Sequence, residues 1–581
     1  MTTTSRSRVA AVLVVLLAVL AGCAEVPTRG PVDPVEGAKP SCRSCLNVDP
    51  AAPQPGDDPK TIVEGFLQAM SAYEPSYATA RKYLTKESAD RWNPDQGATV
   101  YVGQLTATSP TSFLLDARMV GVLGPDRIFT VRDQQFRPVL RVEKQDGEWR
   151  INNPVTGLLV PKWTFDTFYD SFNVYFIGRD GTLVPDVIYL PQRASIASAL
   201  MLALLSGPSD WLAPVVSSAF PAGTTLEVQS ASVAGGVAEV GLSDAINELT
   251  DQQRILMAAQ VAETLRQFQV QSVMFRVNGE IFRIPGADPT TGAISVNDDR
   301  IRAIAARPPR ASDQLYAATD DGVRMITDRA GKRETAPISG DLGEQEGTER
   351  IAVSLDDREL AAVTDDGTVL RQQGEDGQAS TVIKGVSDLL RPQYSRQNEL
   401  WAVGQKGGEQ RIWAAVGNRV VDVQAPQLKG SKIVAFKLSP DGTRIAMVRE
   451  VGSTRQLTLG VINRVDGRIL IDGDLRRVDT AGNQGTTITQ FRDVGWQDDS
   501  RLLVIGAAAS LAPVGVYLLS QDASQISALG ELPDDEAAEI TASPTHNQVA
   551  IVNKKGEAYW LDPARRWTRI SAGVDSLAYP G

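Results

Sequence analysis

A repeat in the C-terminal half of the chain constrains its fold more than any other feature of the sequence. Six segments, each a polar turn followed by an apolar run, begin 40 to 57 residues apart, at Pro309, Ser354, Tyr394, Ser439, Trp496 and Ser543. A glycine stands 13 residues after the start of five copies, and in the copy that begins at Trp496 it comes later, at Gly515. A period of 40–50 residues with room for four short strands is typical of a β-propeller. We therefore expect residues 296–581 to form an all-β propeller of six blades, and the alternative is a β-sandwich with coincidental spacing.

The fourth copy carries the clearest turn signal. Ser439-Pro440-Asp441-Gly442 has proline at the second and glycine at the fourth position, which favours a type I turn. This tetrapeptide resembles the repeat of TolB-type propellers.

The N-terminus has the pattern of an export signal. Arg6 and Arg8 precede an apolar run that ends in small residues before Cys23. Leu20-Ala21-Gly22-Cys23 resembles a bacterial lipobox, which implies cleavage between Gly22 and Cys23 and attachment of diacylglycerol and palmitate to Cys23. The apolar run is shorter than the roughly 20 residues of a spanning helix. The lipobox predicts a lipid anchor on the extracytoplasmic face of the cell membrane. The alternatives are an uncleaved anchor or an ordinary secretory signal, and each still places the remainder outside the cytoplasm.

Chain length and net charge limit the number of domains and the classes of partner that the protein can have. A chain of 581 residues predicts several domains, and a formal charge of −12 argues against nucleic acid as a partner. Residues 1–22 are the predicted signal peptide. Residues 23–58 are rich in proline and predict a disordered linker. Within it, Cys42 and Cys45 form either a small local disulfide or two idle thiols, since no strand precedes them as a redox motif requires.

Residues 59–158 predict a small α+β domain. A helix begins at Pro59, and strand-like runs follow, with a hairpin turn at Asp146-Gly147. A helix followed by a curved antiparallel sheet resembles the nuclear-transport-factor-like or cystatin-like folds. The segment has no histidine and no evident carboxylate pair, which favours a structural role.

Residues 159–295 predict a second α+β domain. It opens with a stripe of aromatic residues between 165 and 176, interpreted as core or as an interdomain seam. A helix ends at Gly207-Pro208, and a hairpin turns at Asn278-Gly279. Residues 204–208, 237–243 and 253–268 resemble the GerMN domain, although Gly241 stands where that family usually has a buried acidic residue. The resemblance implies an assembly module without catalytic activity.

The sequence offers few groups for chemistry. Its one histidine, His546, cannot supply a Ser-His-Asp set or a histidine-rich metal site. Asp320-Asp321-Gly322 and Asp365-Asp366-Gly367 lack the alternating ligand spacing of a calcium loop and predict hairpin turns. We expect no catalytic residue, no metal and no cofactor. A carboxylate pair for glycan hydrolysis stays open, because spacing in the fold cannot be read from the sequence.

The complete order of signal, linker, two α+β domains and propeller resembles the LpqB family of actinobacterial lipoproteins. The resemblance implies a partner, the extracytoplasmic domain of the sensor histidine kinase MtrB, in the MtrA–MtrB system that controls cell-wall homeostasis. We therefore expect a membrane-anchored protein that binds and modulates this kinase. The alternatives are an envelope scaffold, or a protein that binds or hydrolyses a cell-wall polymer.

Overall fold

A computed structural model describes residues 50–581, apart from 73, 192–195, 305–311, 330–331, 481–486, 509–511, 535–536 and 544–547. Residues 50–581 form one compact unit. Several residues singled out in the sequence lie outside the described residues: Arg6, Arg8, Leu20, Ala21, Gly22, Cys23, Cys42, Cys45, Pro309 and His546. Among the described helices, none is long and apolar enough to cross a membrane.

The N-terminal unit consists of three helices and a mixed sheet. Its helices are α1 (Pro59–Ser71), α2 (Ala78–Lys82) and α3 (Lys86–Arg91), and its strands are β1 (Ala98–Ser109), β2 (Ser112–Leu123), β3 (Phe129–Phe136), β4 (Val139–Gln145), β5 (Glu148–Ile151) and β6 (Leu158–Pro161). Helix α1 begins as predicted, because the Asp58 carboxylate accepts from the Lys60 amide at 2.9 Å and Pro59 occupies the first turn. The helix buries one apolar face, formed by Ile62, Val63, Phe66, Leu67 and Met70.

The sheet of this unit has the order β5-β4-β2-β1-β6, with β3 also paired to β2. Asp146 and Gly147 both have positive φ, so the predicted hairpin turn between β4 and β5 is confirmed. Strand β6 runs parallel to β1 and pairs only with residues 98–101 of this twelve-residue strand. Beyond Tyr101, no described strand pairs with the outer edge of β1.

Helix α4 (Lys162–Phe168) leads into the second unit, which has two sheets. Its other elements are β7 (Tyr169–Gly178), β8 (Leu183–Pro191), α5 (Ile196–Ser206), β9 (Val216–Ser217), β10 (Leu226–Ala234), β11 (Val237–Leu242), α6 (Asp251–Arg266), β12 (Ser272–Val277), β13 (Glu280–Phe282), β14 (Ile294–Ser295) and α7 (Asp299–Arg302). One sheet has the order β10-β11-β12-β13, with β14 on β12, and the other has the order β8-β7-β9. Strands β11 and β12 are parallel and connected through α6, whose start is fixed by a capping box of Thr250 and Gln253.

The remaining strands form four-stranded sets. The sets are β38 (Ser576–Ala578) with β15 (Leu315–Thr319), β16 (Gly322–Arg329) and β17 (Lys332–Pro337); β18 (Arg350–Val353), β19 (Leu360–Thr364), β20 (Val369–Gln373) and β21 (Ala379–Ile383); β22 (Gln393–Tyr394), β23 (Leu400–Lys406), β24 (Glu409–Val416) and β25 (Arg419–Asp422); β26 (Lys432–Leu438), β27 (Arg444–Val451), β28 (Thr454–Val465) and β29 (Arg468–Arg477); β30 (Gln490–Trp496), β31 (Arg501–Ala507), β32 (Gly515–Ser520) and β33 (Ile526–Ala528); and β34 (Ala537–Ala542), β35 (Val549–Asn553), β36 (Glu557–Leu561) and β37 (Trp567–Ala572). The fourth and fifth sets are linked into one sheet by a single bridge, Arg455 with Gln490.

These sets follow the repeat that the sequence shows. Each repeat contributes the second strand of its set, and the five glycines 13 residues into the repeat have positive φ in the hairpin that follows: Gly322, Gly367, Gly407, Gly452 and Gly556. The Gly442 amide donates to the Ser439 carbonyl at 2.8 Å, which is the bond of the predicted type I turn. The all-β propeller prediction is confirmed by this architecture.

The ring of sets is closed by the C-terminal segment. Strand β38 pairs with β15 and lies beside β34 and β18, the first strands of the neighbouring sets. In the set of the first repeat, Ser576–Ala578 takes the place of the first strand.

Candidate functional site

Aromatic rings of α4, β7 and β8 pack in the same buried cluster as the core of the N-terminal unit, and one of them contacts the propeller. The ring centroids of Phe165 and Tyr169 lie 5.2 Å apart, and the ring of Tyr189 lies 5.3 Å from that of Phe165. All three side chains are buried. The Tyr189 hydroxyl donates to Oδ1 of Asp522 at 3.1 Å and also bonds the Ser524 hydroxyl. The predicted aromatic stripe is therefore both core and interdomain seam.

Trp211 makes a second contact between the second unit and the propeller. Its indole Nε1 donates to the Asp474 carbonyl at 3.2 Å, and the guanidinium of Arg476 lies 4.6 Å from the ring centroid. Beside it, buried Leu212 packs in one cluster with Val461 of the propeller. The described units thus meet through both apolar burial and directed hydrogen bonds.

A buried carboxylate lies next to this contact. Asp186 is 4% exposed, and its Oδ2 accepts from the Ser209 amide at 2.7 Å. Burial raises the pKa of Asp186, and the bonds from Ser209 and the charges of Arg476 and Arg444 offset only part of that rise. This carboxylate is enclosed by the interface, so it is not positioned to meet a ligand from solvent.

Arg444 anchors the propeller side of the junction. Its guanidinium is fully buried, donates to Gln521 Oε1 at 2.9 Å and to the Asp499 carbonyl at 2.7 Å, and forms an ion pair with Asp441. Asp441 belongs to the Ser-Pro-Asp-Gly turn, so the motif supplies the carboxylate that holds a buried arginine three residues later. Sequence reasoning found the turn and missed this ion pair.

A second group of charges lies in the central channel of the propeller. Arg391 pairs with Asp493 at 2.8 Å and with Glu539 at 3.5 Å, and the Ser576 hydroxyl donates to Glu539 at 2.8 Å. The cavity here measures about 10 Å³, too small for anything larger than a water molecule. The two carboxylates therefore hold an arginine and do not face a substrate pocket.

Lys437 lines the same cavity. Its ammonium donates to the Gly581 carbonyl at 2.5 Å. Burial first, and then the positive charge of Arg391, lowers the pKa of Lys437 to about 7. A shifted lysine is often a sign of catalysis, but the channel leaves no room for a substrate beside this one.

A larger open groove lies between the second and third sets. It has a volume of about 380 Å³. Oε2 of Glu359 accepts from Gln372 and from Asn398, each at 3.0 Å, and these three side chains line the groove. The other lining residues are Gly374, Asp376, Gln378, Ala379, Ser380, Ala415, Gly417 and Asn418, so amides and carboxylates dominate and no lysine or arginine is among them. Such a lining suits a hydroxyl-rich or cationic ligand and disfavours an anion.

The acidic turns that resemble calcium loops are hairpins. Gly322 has positive φ in the β15–β16 turn, and Asp365, Asp366 and Gly367 have positive φ in the β19–β20 turn. Over the described ranges, no group of three or more histidine, cysteine, aspartate or glutamate side chains is placed to hold a metal ion.

Comparison with known protein families divides the chain as the units do. The model of the LpqB lipoprotein N-terminal domain matches residues 52–166, a sporulation and spore germination (Germane) model matches 173–281, and the model of the LpqB β-propeller domain matches 328–577. Lipoprotein LpqB of Cutibacterium acnes is 27% identical over 589 residues, covering 98% of each chain, and that of Streptomyces coelicolor is 29% identical over 623 residues, covering 99% of this chain and 98% of its own. The chain belongs to the LpqB lipoprotein family.

These matches confirm the fold class expected from the sequence, a multidomain chain with a GerMN-type domain and a C-terminal propeller domain. A likeness to a solved structure, the first GerMN domain of the sporulation protein GerM from Bacillus subtilis, covers 22% of this chain and 99% of that one at 25% identity, with a TM-score of 0.19. Relatives named LpqB come from several further actinobacteria, including Thermobifida fusca at 28% identity over 92% of this chain.

Proposed function

We propose that this LpqB-family chain is a lipid-anchored protein of the extracytoplasmic membrane face that binds the extracytoplasmic domain of an MtrB-like sensor histidine kinase and modulates its output. The observation that carries the proposal is family membership along nearly the whole length of the chain. The resemblance to that family implies the kinase as partner, and the lipobox at Leu20-Ala21-Gly22-Cys23 supplies the anchor.

The domain boundaries belong to the proposal. We assign residues 1–22 to the signal peptide, 23–58 to a lipidated cysteine and linker, 59–158 and 159–295 to the two α+β domains, and 296–581 to a propeller of six blades. Cys42 and Cys45 are placed in the linker, as a local disulfide or as free thiols.

The proposed mechanism is physical coupling rather than catalysis. An acyl chain on Cys23 confines the protein to the membrane that holds the kinase, which raises its effective concentration there. Binding then shifts the kinase between its two states only by the difference in affinity for them. The second unit is joined to the propeller through Tyr189 and Trp211 and shares a buried core with the N-terminal unit. A body joined in this way can transmit such a bias.

The charges of the propeller support a binding role. In the channel, Arg391 is committed to Asp493 and Glu539 beside a cavity of about 10 Å³. At the junction, Arg444 is committed to Asp441. Groups arranged in this way stabilise a scaffold and leave its outer surfaces to make contacts.

The deciding experiment compares three strains: a clean deletion, the deletion complemented with wild type, and the deletion complemented with Cys23→Ala. We expect the deletion to change the output of one two-component pathway, measured by a reporter of its response regulator. Cys23→Ala should reproduce most of that change, because the protein is no longer concentrated at the membrane. Normal output in the deletion strain would refute the proposal.

A second candidate function, binding of a cell-wall polymer, is favoured by the open groove at Glu359, Gln372 and Asn398. Sedimentation of the purified protein with cell-wall material tests it. Binding that survives in Glu359→Ala and Gln372→Ala would exclude this groove as the site.

A further inference from the structure

The outer edge of β1 is a partly unpaired strand edge of the N-terminal sheet among the described residues. Strand β6 pairs with β1 along Ala98–Tyr101 and then continues into α4, while the only strand that pairs with β1 from Val102 to Ser109 is β2. Over these last eight residues, every second residue directs its backbone N–H and C=O away from β2. The edge therefore presents a row of hydrogen-bonding groups without a neighbouring strand among the described residues.

This edge lacks the features by which proteins usually protect an open strand. Residues 102–109 read VGQLTATS, with no charge and no proline, and all except the partly buried Leu105 are exposed. By contrast, the outer strand β3 carries such protection, since it has Arg132 and Asp133. An exposed, uncharged edge of this length is a template for an added strand.

An exposed tryptophan lies close in sequence to the point where the pairing of β6 with β1 ends. Pro161 is the residue of β6 that pairs with Tyr101, and Trp163 comes two residues after it. It is 66% exposed, the highest value among the exposed large apolar side chains of the described chain. Val102, the first residue of the open edge, is also exposed at 37%. Tryptophan is enriched among the residues that dominate binding energy at protein interfaces.

We propose that residues 102–109 of β1, with Trp163, form a docking edge to which a partner protein adds an extended strand. The inference deepens the proposed function, because it rests on that function for the identity of the partner and names the surface and the kind of segment that binds. The occupant is an uncharged segment with β-branched or aromatic side chains at alternate positions. Backbone hydrogen bonds would supply affinity, and the alternate side chains would supply specificity.

The small side chains of the edge favour a different protein over a second copy. Gly103 and Ala107 paired with themselves would gain little, since neither side chain is large enough to make a stabilising cross-strand contact. A strand with large residues would pack on these small ones and against Trp163. The tether of this chain is a poor occupant too, because residues 24–49 include four prolines, which cannot donate to a ladder.

The test places a photo-crosslinking amino acid at Thr106 of the full membrane-anchored protein in cells, with Gln135 on the exposed face of β3 as the matched control position. Mass spectrometry then identifies the crosslinked residues. We expect adducts from Thr106, and not from Gln135, that map to one extended segment of one membrane protein. Gln104→Lys should lower the adduct yield about tenfold, because a charge on an edge strand opposes pairing, and Trp163→Ala should lower it as well.

The outcomes separate this inference from the proposed function. Adducts on an extended segment of the kinase support both, whereas adducts on such a segment of another protein support the edge and refute the kinase as partner. Adducts only with lipid, the tether or a second copy, or equal adducts at Gln135, overturn the inference, as does the absence of adducts in correctly folded protein. If Gln104→Lys does not fold, Thr108→Lys replaces it.

A second measurement distinguishes strand addition from side-chain docking. Hydrogen exchange is followed on the purified protein with and without the extracytoplasmic kinase domain. Strand addition protects alternate amides within residues 102–109, because these gain hydrogen-bond partners. Binding of the kinase domain without such protection would move the docking site elsewhere and leave the proposed function standing.

Discussion

At the scale of single residues, the protonation of Lys437 is expected to make the stability of the propeller depend on pH. Burial lowers the pKa of its ammonium from the usual value of 10.5 to about 7 in the folded chain. Between these values the unfolded chain binds the proton and the folded chain does not, so stability rises with pH from about 7 to about 10.5. The contribution is about 1.4 kcal/mol per pH unit at most.

We therefore predict that Lys437→Met abolishes this rise. The free energy of unfolding, measured in urea at pH 7 and pH 9, should increase by about 2–3 kcal/mol more in wild type than in the variant. Lys432→Met is the control, since Lys432 begins the same strand and is exposed. An equal increase in wild type and Lys437→Met would show that Lys437 is not the titrating group.

At the scale of elements, Trp211 is predicted to couple the second unit to the propeller. Trp211→Ala removes the indole bond to Asp474 and the stacking with Arg476, and it opens a gap next to Leu212. Because Trp211 is only partly buried, its loss should cost less than the about 3–5 kcal/mol of a tryptophan in a fully buried core. We expect calorimetry to show the single unfolding transition of wild type dividing into two in the variant. Trp163→Ala is the matched control, because that indole is exposed and lies outside the junction; identical traces for the two variants would contradict the coupling.

Elements with strong local signals could be predicted from the sequence. Asp146-Gly147, Asn278-Gly279 and the Ser439 turn all specify their turns through residues that accept the required backbone angles. The closing strand β38 could not be predicted, because three residues carry no periodic pattern and their pairing with β15 depends on the closed ring. The ion pair of Arg391 with Asp493 could not be predicted either, because these residues are 102 positions apart in the chain and only the fold brings them together.

At the scale of the whole molecule, the proposed function requires the anchor only to raise the local concentration of the protein near the kinase. The partner does not need to recognise the lipid itself. A linker of about 35 residues reaches roughly 35 Å as a coil and roughly 110 Å when extended. The body is therefore confined to a thin layer above the membrane, where even a weak strand-edge contact can be occupied. Any anchor that holds residues 59–581 in that layer should serve equally well.

This argument predicts that an unrelated anchor restores what Cys23→Ala loses. Residues 1–23 are replaced by an uncleaved transmembrane helix that places the linker on the extracytoplasmic side, and pathway output is read with the same reporter. We expect output near that of wild type at equal protein level, because effective concentration depends on the linker and not on the chemistry of the anchor. Failure of this protein to restore output, despite correct placement and amount, would mean that the lipidated cysteine itself is recognised, and the tether model would have to be abandoned.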